Sequence, residues 1–493
     1  MTRVFRDRTV LLLVLLLAFL IRFLGIFHDL PFSYYPDEEH FVKRSLAFGN
    51  GDFNPHWFNK PALYMYLLFF EYIFLFFFGK LVGSWNNIND YAIFYINHKG
   101  VFYFIGRLTT VSFGIGVIYL VYRIGKEFYD EYIGIISAVI VAFTFGHYES
   151  AIQVKADMPA TFFTLASLLF VYRLYRQGRV TDYLLAGVLG GLGMATKYYS
   201  LALLFPFAVA HYLRGHASRR FSLRRLLDGK LVLAYFAFLG GFFLGSPFNF
   251  LDPTWAQYYI LPRLHTLLGL KHLDPEIVTR ALPEMNWRVF LGSLWHYGRT
   301  VVSPRGMGLS IGLLSLAGLL YCSLLGVRDK KYWVVVAFPW FFILLANYVN
   351  PYYSEPRHQL VVYPLLALCG AVLLRDGLER LRTLWPLWPQ SAVVPYAIAA
   401  ALVVAVPAWH IATDVAIILQ PDPRTLAKAW IETHIPDGTK LVLDEYTPPF
   451  AHEPQEPLGA LRTGPPRRPQ RPVHGPPAAV LPLLAGSPPR RVL

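Results

Sequence analysis

Cysteine is nearly absent from this chain of 493 residues: Cys322 and Cys369 are the only two. Both lie inside apolar runs, so neither a disulfide framework nor a cysteine-based zinc site is available, and the pair reads as small hydrophobes in a helix bundle. Charge is scarce too, at 15%, against 55% hydrophobic and 16% aromatic residues. Soluble globular domains carry roughly 25% charged residues, so this balance excludes an ordinary soluble protein. Phosphate-cradling loops are missing as well, with neither GxxxxGK[ST] nor a GxGxxG after a strand, and no soluble domain is large enough to hold a nucleotide.

What the chain has instead is apolar length. A hydrocarbon core takes roughly 20 residues per helix, and eleven runs approach that: 9–27, 101–122, 132–149, 158–175, 183–196, 199–213, 231–250, 306–326, 332–349, 359–374 and 391–412. A twelfth, 62–83, is long enough but holds Glu71 and Lys80 among many Tyr and Phe. The first run contains Arg22 and no small-residue cleavage site follows it, so it reads as a retained helix rather than a signal peptide. The expected fold class is an all-α polytopic membrane protein.

The net charge of +14 reports topology rather than a nucleic-acid partner, because the basic residues concentrate in short loops between spans. With the N-terminus cytoplasmic and 62–83 interfacial or re-entrant rather than crossing, every strongly basic short loop falls on the cytoplasmic side. The loops 28–61, 150–157, 251–305 and 350–358 then face outward, together with Lys197. Those loops hold the unusual residues: Asp37 and Glu38 in YYPDEEHF, His56 and Lys60 in NPHWFNKP, Lys155 and Asp157 in QVKADMPA, and Tyr353, Arg357 and His358 in NPYYSEPRHQ.

Each has a plain structural alternative. Asp37 and Asp157 stand where helix caps stand, Lys60 can snorkel, Lys197 can mark a loop, and Arg357 can pair with Glu355 or Glu38. His40, His56 and His358 suit hydrogen bonding at the interface better than metal ligation. Together on one face, however, carboxylates beside cations at headgroup depth fit one chemistry. A hydroxyl attacks a carbon whose leaving group is a lipid phosphate, a carboxylate takes the proton, and cations meet the charge growing on the phosphate.

The ordered motifs PDEEHFVKRSL, GDFNPHWFNKPALYMYL, KADMPATFFTLASL, GLGMATKYYSLALL and EPRHQLVVYPLL resemble those of GT-C glycosyltransferases. More narrowly, they resemble the bacterial and archaeal relatives of protein O-mannosyltransferase and the aminoarabinose transferase of lipid A, over roughly residues 5 to 445. The resemblance implies a bundle of about 11–13 transmembrane helices with extracytoplasmic juxtamembrane helices, in the inner membrane of a prokaryote with its active site extracytoplasmic. It implies a polyprenyl-phosphate sugar donor drawn from the membrane lipids, an extracytoplasmic acceptor and inversion at the anomeric carbon. Asp37 becomes the catalytic base with Glu38 in support. Lys60, Arg357 and Lys197 bind the donor phosphate, and Asp157, His56 and Tyr353 orient substrate. No cofactor is required by the sequence. A divalent metal held by Asp37, Asp157 and a histidine is an alternative, as is a non-enzymatic flippase of a lipid-linked saccharide sharing the same headgroup site.

The expected organisation is a transmembrane domain over 1–419, with a first outer loop at 28–100 and a long one at 251–305. The start of a soluble extracytoplasmic domain follows at 420–450, as a helix, an IPDG turn and a strand. From 451 to 493 the composition turns to Pro, Arg, Ala and Gly, which predicts disorder, or a truncated or out-of-frame end.

Overall fold

The computed structural model describes residues 2–214, 226–261, 286–349, 355–384, 393–436 and 438–441. Tyr353, the expected strand beyond 441, the tail 451–493 and much of the 251–305 loop lie outside the described residues. Within them the chain is helical, and no strand is present. The apolar runs fold as α1 (Thr2–Gly25), α5 (Lys99–Phe128), α6 (Glu131–Ala142), α7 (Phe145–Ala151), α8 (Asp157–Arg176), α9 (Val180–Met194), α10 (Leu204–Arg214), α11 (Gly229–Gly245), α13 (Leu309–Arg328), α14 (Lys331–Val349), α15 (Tyr363–Leu384) and α16 (Val393–Ile418). The remaining helices are α2 (Pro36–Ala47), α3 (Leu63–Leu81), α4 (Ile88–Asn97), α12 (Trp287–Val302) and α17 (Pro423–His434).

Among the described residues, seven helices are long and apolar enough to cross a bilayer, or eight if a bent pair counts as one span. Helix α3 is one of the seven, whereas several of the eleven expected runs fold as helices that are shorter, broken or more polar. Run 132–149 bends by 64° between α6 and α7. The bend leaves carbonyl groups without helical partners, and the buried Arg22 of α1 donates to Ala142 O at 2.9 Å while bonding His147 Nδ1 at 2.8 Å. An arginine inside an apolar helix thus satisfies backbone that the break frees, as a membrane interior requires.

The bundle is tied most closely at α9 and α11. A Cβ on Gly191 would lie 2.1 Å from Phe238 O, one on Gly241 2.3 Å from Val188 O, and one on Gly187 2.4 Å from Ala234 O. The two backbones touch where side chains are missing, the small-residue packing expected in lipid.

Segment 62–83 forms one unbroken helix of 19 residues, α3, so the chain does not enter and return within it. Its buried face packs on α2 and α5. Tyr64 donates to Gly106 O and Tyr72 to Phe102 O on the N-terminal third of α5, Tyr91 of α4 donates to Tyr72 O, and α2 packs alongside. Its other face carries exposed Phe70, Phe74, Phe77 and Phe78. Helix α12 is similarly two-faced, with Ser293, Tyr297, Thr300 and Val301 buried and Trp287, Leu291 and Trp295 exposed.

Candidate active site

Pro36 opens α2, and Asp37, Glu38 and Glu39 occupy its first turn, where carboxylates meet the positive end of the helix dipole. Successive helical residues point about 100° apart, so the three acids take three directions. Glu39 faces solvent and pairs with Lys43 at 2.6 Å. Glu38 turns into the protein, where both it and Arg107 of α5 are fully buried, with Arg107 Nε and Nη2 at 2.8 and 2.7 Å from its oxygens. Val154 N and Ser33 Oγ also donate to it, at 2.8 and 2.7 Å, and Arg107 caps Ile26 O and His28 O at 2.9 and 2.5 Å. Burial raises the Glu38 pKa, but the Arg107 guanidinium outweighs it and brings the group down to about 2. Glu38 is therefore an anchor for α2 and a poor proton acceptor.

Asp37 points the remaining way, into a cluster of cations. Lys60 Nζ donates to one oxygen at 3.3 Å and Arg357 Nη1 to the other. Asp37 keeps 23% side-chain exposure, Lys60 19% and Arg357 32%, so all three can still meet a ligand. Lys60 is steadied by the Phe41 ring, 4.9 Å from its centroid. Arg357 also pairs with Glu355 at 2.7 Å. Burial pushes the Asp37 pKa up, yet Lys60, Arg357 and Lys155 together hold the carboxyl below its ordinary value.

A second acid completes the cluster. Asp157, at the start of α8, is buried and pairs with Lys197, which sits at the break after α9. Asp157 and Lys197 both act on the charge of Lys60, and Asp157 on that of Arg357, so the two ion-paired groups form one electrostatic unit. His358 lies beside them, its pKa lowered to about 4 by burial first and Lys197 next, which keeps it neutral at physiological pH.

Asp37, Lys60, Asp157, Lys197 and Arg357 are thus brought together from five distant stretches, Tyr353 lies outside the described residues, and two expected residues fall elsewhere. His56 does not join the cluster. It bonds Asp52 at 2.9 Å and lies 3.9 Å from Asp252, while Asn54 donates to Asp252 at 2.7 Å, so this stretch ties the first outer loop to the segment after α11. Glu38 belongs to the Arg107 anchor. Arg107 itself was not singled out in the sequence, although an arginine inside the apolar stretch FIGRLTTV is the signal that would find it. The metal alternative does not fit: each carboxylate is already bonded to an ammonium or guanidinium, and the described residues contain no group of three His, Cys, Asp or Glu able to hold an ion.

Residues 95–247 match the family model described as dolichyl-phosphate-mannose-protein mannosyltransferase. No curated protein sequence matches the chain. The apo oligosaccharyltransferase of Archaeoglobus fulgidus superposes with a TM-score of 0.51 at 15% identity, covering 87% of this chain, which spans 58% of that protein's length. ArnT from Cupriavidus metallidurans in its apo state gives 0.50 at 15% identity, covering 83% of this chain and 76% of its own. The same ArnT bound to undecaprenyl phosphate gives 0.49 at 14% identity, covering 85% and 72%. The chain accordingly shares its fold with this oligosaccharyltransferase and with ArnT.

Proposed function

We propose that the protein is a membrane glycosyltransferase that moves a sugar, with inversion, from a polyprenyl-phosphate donor to a hydroxyl of an extracytoplasmic acceptor. The observation that carries this reading is Asp37 held between Lys60 and Arg357, an acid and two cations from three distant segments meeting at one end of the bundle. The outward orientation is supported by the basic short loops, which the positive-inside rule puts on the cytoplasmic side when α3 does not cross the membrane.

The ion pairs give the site a logic. A carboxylate bonded to two cations is a weak base. A donor phosphate entering the cluster competes for Lys60 and Arg357, and each contact it takes from Asp37 raises the basicity of that carboxylate. Asp37 then accepts the proton of the acceptor hydroxyl as its oxygen bonds to the anomeric carbon from the face opposite the phosphate. The carbon–oxygen bond to phosphate breaks with its electron pair going to the phosphate, whose new charge meets Lys60, Arg357 and Lys197. Asp157 keeps Lys197 in place.

The test is mass spectrometry of products from purified protein, a defined polyprenyl-phosphate sugar and candidate acceptors. Asp37→Asn should fold normally and lose at least about 10²-fold in turnover, the lower range for a general base. Near-normal turnover by this variant refutes the role of Asp37, and donor that is moved across vesicles but never consumed identifies a flippase instead.

A further inference from the structure

Three of the four cations in the cluster have partners. Lys60 and Arg357 share Asp37, and Lys197 has Asp157. Lys155 has none: it retains only 9% exposure, yet it makes no ion pair and no hydrogen bond among the described residues. Its surroundings fix where it points. The turn 152–156 between α7 and α8 is buried throughout, and Val154 N is bonded to Glu38. The Lys155 ammonium lies 5.5 Å from the centroid of the Tyr35 ring, immediately before α2. From there it acts on the charges of Asp37, Asp157 and Arg357. The ammonium is largely, though not wholly, withdrawn from water and has the Tyr35 ring rather than an anion beside it, an arrangement that is costly to the free protein. It becomes favourable when an anion arrives.

Two carboxylates, Asp37 and Asp157, are bonded within the group of four cations Lys60, Lys155, Lys197 and Arg357; Glu355 pairs with the outer edge of Arg357, and Glu149 interacts with both Lys155 and Arg357 while also facing Arg305. A divalent cation placed among these groups would meet Lys155 and two carboxylates already engaged. A phosphate would meet unsatisfied donors.

We propose that Lys155 is a phosphate ligand of this site, donating to a non-bridging oxygen of the lipid-linked donor and supplying positive charge there. The donor class rests on the glycosyltransferase reading above. A sugar phosphodiester enters with one negative charge. When the bond to the anomeric carbon breaks, its electron pair leaves a second charge on the phosphate, while the acceptor's proton goes to Asp37. The Lys155 hydrogen bond strengthens as that second charge grows.

The experiment uses full-length protein in nanodiscs, titrated with undecaprenyl phosphate or inorganic phosphate, with and without EDTA, for wild type, Lys155→Gln and Lys155→Arg. Lys155→Gln should weaken undecaprenyl phosphate binding at least tenfold and flatten its salt dependence, while Lys155→Arg stays within threefold. EDTA should change nothing, and inorganic phosphate should bind at least 100-fold more weakly. A second readout separates ligand from scaffold: removing an unpaired buried charge should raise the thermal midpoint of the free protein, whereas loss of a structural lysine would lower it. Wild-type affinity in Lys155→Gln, a lowered midpoint in that variant, or binding lost in EDTA and restored by Mg²⁺ each overturns the proposal. Inorganic phosphate binding as tightly as the lipid overturns the lipid-phosphate form. If wild type binds and turns over donor while Lys155→Gln does so equally well, only the Lys155 assignment fails; absence of wild-type binding removes the donor class as well.

Discussion

Removal of Arg107 should be the most damaging single change near the site, because four links converge on it. Arg107→Met leaves Glu38 buried without its cation, and losing one partner of a buried pair costs about 3–5 kcal/mol. Ile26 O and His28 O lose their donor at the same time, at about 1–3 kcal/mol for each carbonyl left dry. The pair term can be approached independently from titration. Glu38 falls from its ordinary 4.5 to about 2 in the folded protein, equivalent to about 3 kcal/mol at about 1.4 kcal/mol per unit. Because the folded pKa is depressed, this contribution is complete above pH 4.5 and is lost as pH falls toward 2. SDS-titration unfolding in mixed micelles, applied to Arg107→Met, Glu38→Gln and the double variant, gives the coupling directly. The expected coupling is about 2–3 kcal/mol, with the double variant still destabilised by the two uncapped carbonyls. The pH dependence adds a qualitative signature. Arg107→Met alone should gain more stability as pH falls from 7 to 4 than wild type, because an uncompensated buried carboxylate prefers its proton, while wild type changes only by the smaller Asp29 contribution and the double variant loses the excess. A coupling below about 0.5 kcal/mol, or no such excess, refutes the anchor.

Two further outcomes concern packing and the outer loops. Gly191→Ala should destabilise by about 1–3 kcal/mol in the same unfolding assay, since its Cβ would lie 2.1 Å from Phe238 O; Gly240→Ala, with nothing within 4 Å, should be neutral or slightly stabilising. Burial first, and then Asp422, raise the Asp29 pKa to about 6 against the opposing pull of Arg424 and Arg107. A raised carboxyl contributes fully below its ordinary 3.8 and loses that contribution as pH rises through about 6. Asp29→Asn should therefore stabilise the protein by about 1 kcal/mol at pH 7.5, allowing for solvent screening of a partly exposed group, and leave it unchanged at pH 4. Asparagine also tolerates the left-handed backbone there, with φ of 61°.

The apolar runs were readable because hydrophobic length is a local signal, and they became helices, with run 132–149 broken in two. The gathering of Asp37, Lys60, Asp157, Lys197 and Arg357 was readable through their shared position at span borders, a constraint that the bilayer imposes on every loop alike. Which of three consecutive acids faces the site was not readable. Asp37 and Glu38 differ by one residue in the sequence but by about 100° on the helix, and the partner that captures Glu38 lies 69 residues away on α5. Arg107 was hidden by its own surroundings, since hydropathy averages one guanidinium into a long apolar run. His56 misled for the opposite reason. Its bonds to Asp52 and, through the loop, to Asp252 satisfy a histidine with neighbours that have no part in the cluster.

The anchor and the cluster also belong to one mechanical unit. Asp37 and Glu38 share the first turn of α2, so the ion pair that fixes Glu38 fixes the reach of Asp37 toward Lys60 and Arg357. Val154 N bonds the same Glu38 carboxylate, which ties the Lys155 turn to α2 as well. A change in Arg107 therefore moves the acid and the unpaired cation together, although it touches neither. In the proposed reaction, a base and a phosphate ligand acting on opposite sides of one breaking bond require that coupling, because their separation must match the distance between the attacking and the leaving oxygen.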